Sequence, residues 1–222
     1  MTGSVVLRYA LKDLYFSRAF IIGTLVAAAL ALPLTALGST GTYAAMILMI
    51  CAGAAPASFI CMYLIVAERK ERANLFSLSL PISATQVALA KIAAAAIAYF
   101  LPWALLAVGT AALFSVAHVG LGVLPFGWMF WVFMLDEFCL MLAVTVSSGS
   151  DALTTATIVF CNVAISFYIF VFVHVPSIAR DIGGTVAVWS PFVLEVIAAE
   201  LAIALLLMAV MLWTLLRRKD FV

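Results

Sequence analysis

The segment AERKERANLFSLSLPISATQVALAK, residues 67–91, is the long polar stretch between the first and last hydrophobic segments that carries a cluster of positive charge. It opens with the charged run 68–72, continues as an amphipathic piece, residues 74–80, and then meets the helix breaker Pro81. This segment interrupts an otherwise apolar chain after its second hydrophobic segment. The apolar segments on either side therefore determine the fold class. The polar stretch separates the first two of these segments from the others.

Composition places the chain in a membrane. Of its 222 residues 68% are hydrophobic and 9% are charged, whereas soluble domains are roughly half apolar and about a quarter charged. About 20 apolar residues cross the hydrocarbon core of a bilayer as a helix, and each span must be helical because lipid offers backbone groups no partners. The sequence predicts an all-α membrane protein, a single transmembrane domain over 1–222, with six spans at 19–37, 43–66, 92–117, 125–146, 154–173 and 192–216.

The positions of Lys and Arg predict the orientation. Ten of the 11 basic residues lie before the first span, between the second and third, at the start of the third, or after the sixth, and Arg180 alone lies on the other side. Cytoplasmic segments are enriched in basic residues. Both termini and the 67–91 loop are therefore predicted to be cytoplasmic.

Two flanking segments have their own patterns. Residues 1–18 mix apolar side chains with Arg8, Lys12, Asp13 and Arg18, which predicts an interfacial amphipathic helix on the inner membrane face; the alternative is a frayed basic tail that only sets topology. The outer loop 174–191 is long enough for a short interfacial or re-entrant helix.

Several functions are excluded by what the sequence lacks. The four cysteines lie in apolar segments without a C-x-x-C pair, so neither a disulfide framework nor a metal site is expected. No phosphate-binding or hydrolase motif is present. The chain is therefore not expected to be an enzyme, and any ATP-driven role needs a partner that binds ATP and Mg. The net charge of +1 gives no indication of nucleic-acid binding.

Three acidic residues are candidates for a translocation path. Asp136 and Glu137 fall in the middle of the fourth span, and Glu200 lies deeper in the sixth span than Glu195. Charges at such depth are costly and turn towards a bundle interior, a partner or water. Neighbouring helix positions point about 100° apart, so Asp136 and Glu137 are expected to face different neighbours. They either line a substrate or proton path or are protonated, hydrogen-bonded packing groups; the predicted spans hold no Lys or Arg to neutralise them.

The polar loop resembles a segment of a known protein family. The stretch LSLPIS, residues 78–83, followed by QVALAK, residues 86–91, resembles the first cytoplasmic loop of permease subunits of bacterial type-2 ABC exporters, in which a similar pattern follows a short coupling helix. Residues 10–14 resemble the membrane-surface helix of that family, and the tail 217–221 resembles a common ending. With six spans and both ends inside, the resemblance covers the whole chain.

The resemblance implies a permease in the bacterial inner membrane that pairs with a second copy or a homologous permease and sits on two ATP-binding subunits. The coupling residues would be Asn74, Leu75, Phe76, Leu78, Leu80 and Pro81. Phe76 and Leu80 would anchor this helix in a groove of the ATPase; the alternative is a helix resting on lipid headgroups. The turn with Ser148 and Asp151 would be a second cytoplasmic contact. Apolar facing helices would suit an amphipathic substrate such as a peptide, antibiotic or lipid-like molecule.

Other functions remain open from the sequence. A haem-exporter-like permease has a similar length and span number. A proton-coupled secondary transporter would use Asp136 or Glu137, although inverted repeats typical of such carriers are not evident between the two halves. A membrane enzyme or assembly scaffold would need a clustered His, Cys or Ser constellation, which the sequence does not offer. Asp136 and Glu137 match no part of the family pattern and inherit no role from it.

Overall fold

The computed structural model describes residues 2–67, 84–116 and 120–217, and over these ranges all regular structure is helical. A π-helix, Ile60–Ala67, extends the second helix, and single 3₁₀ turns occur at Thr35–Leu37 and Leu121–Val123. The α-helices are α1 Thr2–Leu34, α2 Gly38–Phe59, α3 Ala84–Val116, α4 Leu124–Ser148, α5 Asp151–Val173, α6 Pro176–Ile182 and α7 Pro191–Arg217.

Six helical stretches are long and apolar enough to cross a bilayer, which confirms the predicted number. These stretches are Ala10–Leu37, Thr40–Ala67, Thr85–Phe114, Leu121–Ser148, Asp151–Val173 and Pro191–Arg217. Their length and composition indicate a multi-pass membrane protein. Each predicted span falls within or close to one of them.

The first and third helices are longer than the predicted spans. Helices α1 and α3 have 33 residues each, which is about 50 Å at 1.5 Å per residue, whereas the hydrocarbon core is about 30 Å thick. Hydropathy detects only the apolar part of a helix and misses its polar extension. Residues 2–18 thus continue into the first span as one helix, and their interfacial placement stays a prediction.

Helix α4 is the centre of the bundle. It packs chiefly against α7 and α5, while α1 packs against α3 and α2. In the most apolar window of α4 78% of the residues are buried, compared with 11% for the first span and 17% for α5 and for α7. The outer faces of α1, α5 and α7 are apolar and exposed, as expected for surfaces that contact lipid.

The buried side chains form two stacked clusters. One cluster lies where the end of the second span packs against the start of α3 and the ends of α4 and α7. It includes Leu64, Ile92, Leu142 and Leu215. The other surrounds Trp131 nearer the opposite end. We call the first end the basic end because Lys12, Lys91 and Arg217 lie towards it; its cytoplasmic location stays a prediction.

The α4–α5 turn at the basic end contains a glycine that ends α4 and a serine that caps α5. Gly149 ends α4 with a left-handed backbone, φ 67°, a conformation that glycine adopts without a Cβ penalty. The Ser150 Oγ then accepts a hydrogen bond from the Leu153 amide at 3.3 Å. Ser150 is thus the N-cap of α5, and Asp151 is its first residue.

Two connections meet at the opposite end. The amide of Gly122 donates to the carbonyl of Gly184 at 3.0 Å, so the turn before α4 lies directly against the segment after α6. A Cβ on Gly122 would clash with the Asp181 carbonyl oxygen. The short helix α6 falls inside the loop 174–191, where a short helix was expected; its depth in a membrane stays a prediction.

We predict that Gly122→Ala lowers the thermal stability of the protein. The added methyl group would push the two connections apart, because its contact is with backbone that cannot rotate away; overpacking of this kind costs about 1–3 kcal/mol. The measurement is the unfolding temperature in detergent, with Gly183→Ala as the control, since a Cβ at Gly183 meets no atom within 4 Å. Equal stability of the two variants would contradict the close packing at Gly122.

Candidate functional site

Asp136 and Glu137 lie at the midpoint of α4, the most buried of the spanning helices. Their exposed fractions are 9% and 5%. Asp136 Oδ1 and Glu137 Oε1 have no hydrogen-bond partner among the described residues. The sequence predicted polar groups at this depth, and the structure places them inside protein rather than against lipid.

Asp136 faces α7. Its carboxyl group lies near the backbone of Ala204, which follows Glu200 by one helical turn on the same face of α7. Asp136 is also close enough to Glu200 for their charges to interact. Two of the three predicted acidic residues therefore lie in the same region of the α4–α7 contact.

Tyr168 on α5 completes this cluster. Its hydroxyl donates to Glu200 Oε1 at 2.6 Å, and its ring stacks on Phe133 with centroids 4.1 Å apart. Tyr168 and Glu200 are both buried, and Glu200 Oε2 has no hydrogen-bond partner among the described residues. We call Asp136, Glu200 and Tyr168 the carboxyl cluster. Sequence reasoning missed Tyr168; the available signal was a hydroxyl within an apolar span, because a buried tyrosine hydroxyl needs a partner.

Glu137 faces a different set of neighbours, as the angular spacing of helix positions predicts. It borders a narrow crevice between α2, α3, α4 and α5, whose walls include Tyr99, Cys161 and Asn162. The hydroxyl of Tyr99 donates to the Met134 carbonyl at 3.0 Å, and its ring stacks on Phe138 with centroids 4.0 Å apart. The crevice is therefore held by aromatic packing and has one carboxylate in its wall.

A second polar cluster lies at the basic end, where the 67–91 loop joins the bundle. Lys91 Nζ donates to the carbonyl of Leu64 at 3.2 Å, within the π-helix that ends the second span. Asp13 on α1 is 1% exposed, lies 3.2 Å from Lys12 Nζ, and interacts electrostatically with Lys91. The sequence identified Lys91 only as a topological charge, because its partners come from two other helices.

The remaining predicted site residues divide into two groups. Ser148 and Asp151 lie in the α4–α5 turn at the basic end, where Ser148 Oγ accepts from the Ser150 amide at 3.1 Å. Glu195 is exposed in the first turns of α7. The six predicted coupling residues, Asn74, Leu75, Phe76, Leu78, Leu80 and Pro81, lie outside the described residues. Their contact with an ATPase stays a prediction.

Metal chemistry finds no support in the part of the chain that the structure describes. No group of three or more His, Cys, Asp and Glu side chains there is arranged to hold a metal ion. The three buried cysteines, Cys61, Cys139 and Cys161, are free. What the site offers is carboxyl and hydroxyl groups enclosed by apolar and aromatic walls.

Comparisons with known proteins do not assign the chain to a family. No protein-family model matches the chain. Searches of curated proteins and of solved structures also give no match. The functional assignment consequently depends on the residues themselves and on the geometry of the two polar clusters.

We predict that Lys91→Met destabilises the basic end. The variant keeps an apolar stem of similar length but removes the charged donor to Leu64, and hydrogen bonds to charged groups contribute about 1.5–3 kcal/mol. The measurement is the unfolding temperature in detergent. Arg8→Met is the matched control, because Arg8 is exposed on α1; equal stability of the two variants would show that the Lys91–Leu64 bond contributes little.

Proposed function

We propose that this protein is the membrane-spanning permease subunit of an ATP-driven exporter of the type-2 ABC class in a bacterial inner membrane. Two permease copies, or this chain and a homologous permease, form the translocation path. Two separate subunits bind ATP and Mg and dock on the 67–91 loop. The substrate is amphipathic, of the peptide, antibiotic or lipid-like kind, and a haem-exporter-like permease is the nearest variant.

The observation that carries the proposal is a hydrogen bond between the two helices that flank the predicted loop. Lys91, near the start of α3, is bonded to Leu64, near the end of the second span, at 3.2 Å. This bond ties the end of the second span to the first turns of α3, the two helices on either side of the loop. A force applied to such a loop would be transmitted to the second and third spans and would bias a two-state gate.

Two further features support the same proposal. The α4–α5 turn with Ser148 and Asp151 reaches the same end of the bundle, where Ser147 Oγ lies 2.9 Å from Thr214 Oγ1 of α7. A partner seated below the loop could therefore touch this turn as well. The apolar outer faces of α1, α5 and α7 leave area for a second permease alongside lipid.

If the 67–91 loop docks on an ATPase, the ATPase should co-purify with this protein. Wild-type protein, extracted gently from its native membrane, should bring down a soluble ATPase. Phe76→Asp and Leu80→Asp should lose it, because a charge in place of an apolar anchor is not accommodated in a groove. The readout is ATPase activity and subunit composition of the purified sample.

Ser77→Asp provides the matched control for these variants. It adds the same charge to the same segment but replaces a polar side chain, so it should retain the ATPase. All variants must elute as folded, monodisperse protein. Retention of the ATPase by both Phe76→Asp and Leu80→Asp, or its absence from the wild type, would contradict the proposal.

A second candidate function is a proton-coupled carrier, and the buried carboxyl groups of α4 favour it. Under this candidate, efflux of an amphipathic dye from vesicles containing the protein would follow an imposed proton gradient without ATP. Asp136→Asn should abolish that efflux, whereas Glu195→Gln, an exposed acid on α7, should leave it unchanged. Efflux that requires ATP and survives Asp136→Asn would exclude the carrier.

A further inference from the structure

The carboxyl cluster poses a charge problem that the protein must solve. An ionised carboxylate transferred into a low-dielectric interior is strongly destabilised unless it is paired or neutralised. Asp136 and Glu200 are 9% and 7% exposed. Each keeps an enclosed oxygen, Asp136 Oδ1 and Glu200 Oε2, that no described residue reaches with a hydrogen bond.

No described side chain supplies a positive charge to this cluster. The salt bridges between two described residues join Lys12 to Asp13 and Arg180 to Asp181, at the two ends of the bundle. The titratable groups that interact with the cluster or with neighbouring Glu137 are all neutral or acidic. They are Tyr99 on α3, Cys139 on α4, and Cys161 and Tyr168 on α5.

A larger cation finds few ligands among the described residues. No group of three or more His, Cys, Asp and Glu side chains there is arranged to hold a metal ion. A sodium or potassium ion would need several oxygen ligands around it. A proton needs only one carboxylate oxygen.

We infer that Asp136 and Glu200 form a proton-binding site between α4 and α7, with Tyr168 as its positioning residue. At least one proton is held on the two unpartnered oxygens, where it converts a carboxylate into a neutral acid. The Tyr168 hydroxyl, which donates to Glu200 Oε1 at 2.6 Å, fixes the carboxyl group so that Oε2 remains the atom that takes the proton. This inference goes beyond the proposed function, since an ATP-driven permease does not require such a site.

The bound proton has a mechanical consequence. While it is held, the two carboxyl groups do not repel each other and α4 and α7 stay together. If the contact opened to water, the proton would leave, both groups would ionise, and like charges would oppose reclosure. Proton binding is thereby linked to the closed α4–α7 contact, and each favours the other.

Infrared spectroscopy of the full-length protein in lipid vesicles at neutral pH tests the site. A protonated carboxylic acid has a carbonyl stretching band that is separate from carboxylate and amide bands. We expect this band in the wild type, and we expect Glu200→Gln and Asp136→Asn each to remove part of it. Tyr168→Phe should retain the band but move it to higher frequency, because the carbonyl loses its hydrogen bond.

Two controls assign the band to the cluster. Glu195→Gln, on the same helix but exposed, should leave the spectrum unchanged. Glu137→Gln should leave the component that responds to Tyr168→Phe in place. Variants are compared only when they are monodisperse, and the conservative Tyr168→Phe keeps the test valid if a carboxyl variant fails to fold.

Either of two results would overturn the inference. The first is a spectrum in which Tyr168→Phe and Glu200→Gln leave the protonated-acid band unmoved and undiminished. The second is a stoichiometric metal cation, measured by elemental analysis after washing, that is lost in Glu200→Gln. Neither result bears on co-purification of an ATPase, so the proton site and the proposed function fail separately.

Discussion

The enclosure of α4 by the other helices is the constraint on which the rest of the structure depends. Asp136 and Glu137 could not sit at the middle of a lipid-facing helix without exposing charge to hydrocarbon. Because α4 is mostly buried while α1, α5 and α7 carry the lipid-facing surface, its polar groups meet other helices instead. The contacts of α4 with α7 and α5 thus serve as packing and as the shell of the carboxyl cluster.

The sequence predicts the architecture well where one property decides it. Apolar length alone identifies the six spans. Helix ends are harder, because polar residues continue a helix beyond the membrane without a hydropathy signal. This is why α1 starts at Thr2 and α3 at Ala84, well before the apolar stretches that reveal them.

The candidate site shows a similar division. Asp136, Glu137 and Glu200 are visible in the sequence because acidic residues within apolar spans are rare. Tyr168, Asp13 and the Lys91–Leu64 bond are not, since each depends on how two helices are rotated against one another. The short distance between Tyr168 and Glu200 reflects the packing of α5 and α7 around α4, which no local pattern encodes.

The unequal lengths of the helices have a consequence for the lipid around the protein. Helix α5 has 23 residues, about 35 Å, and it is bounded by the Ser150 cap and the turn at His174, whereas α1 and α3 extend to about 50 Å. In a thicker bilayer the long helices would still span the hydrocarbon core, because they extend well beyond it. Helix α5 extends little beyond it, so the surrounding lipid would have to thin beside α5. The side of the bundle formed by α5 is therefore sensitive to the hydrophobic thickness of the bilayer. A change in acyl-chain length would affect the bundle on that side only.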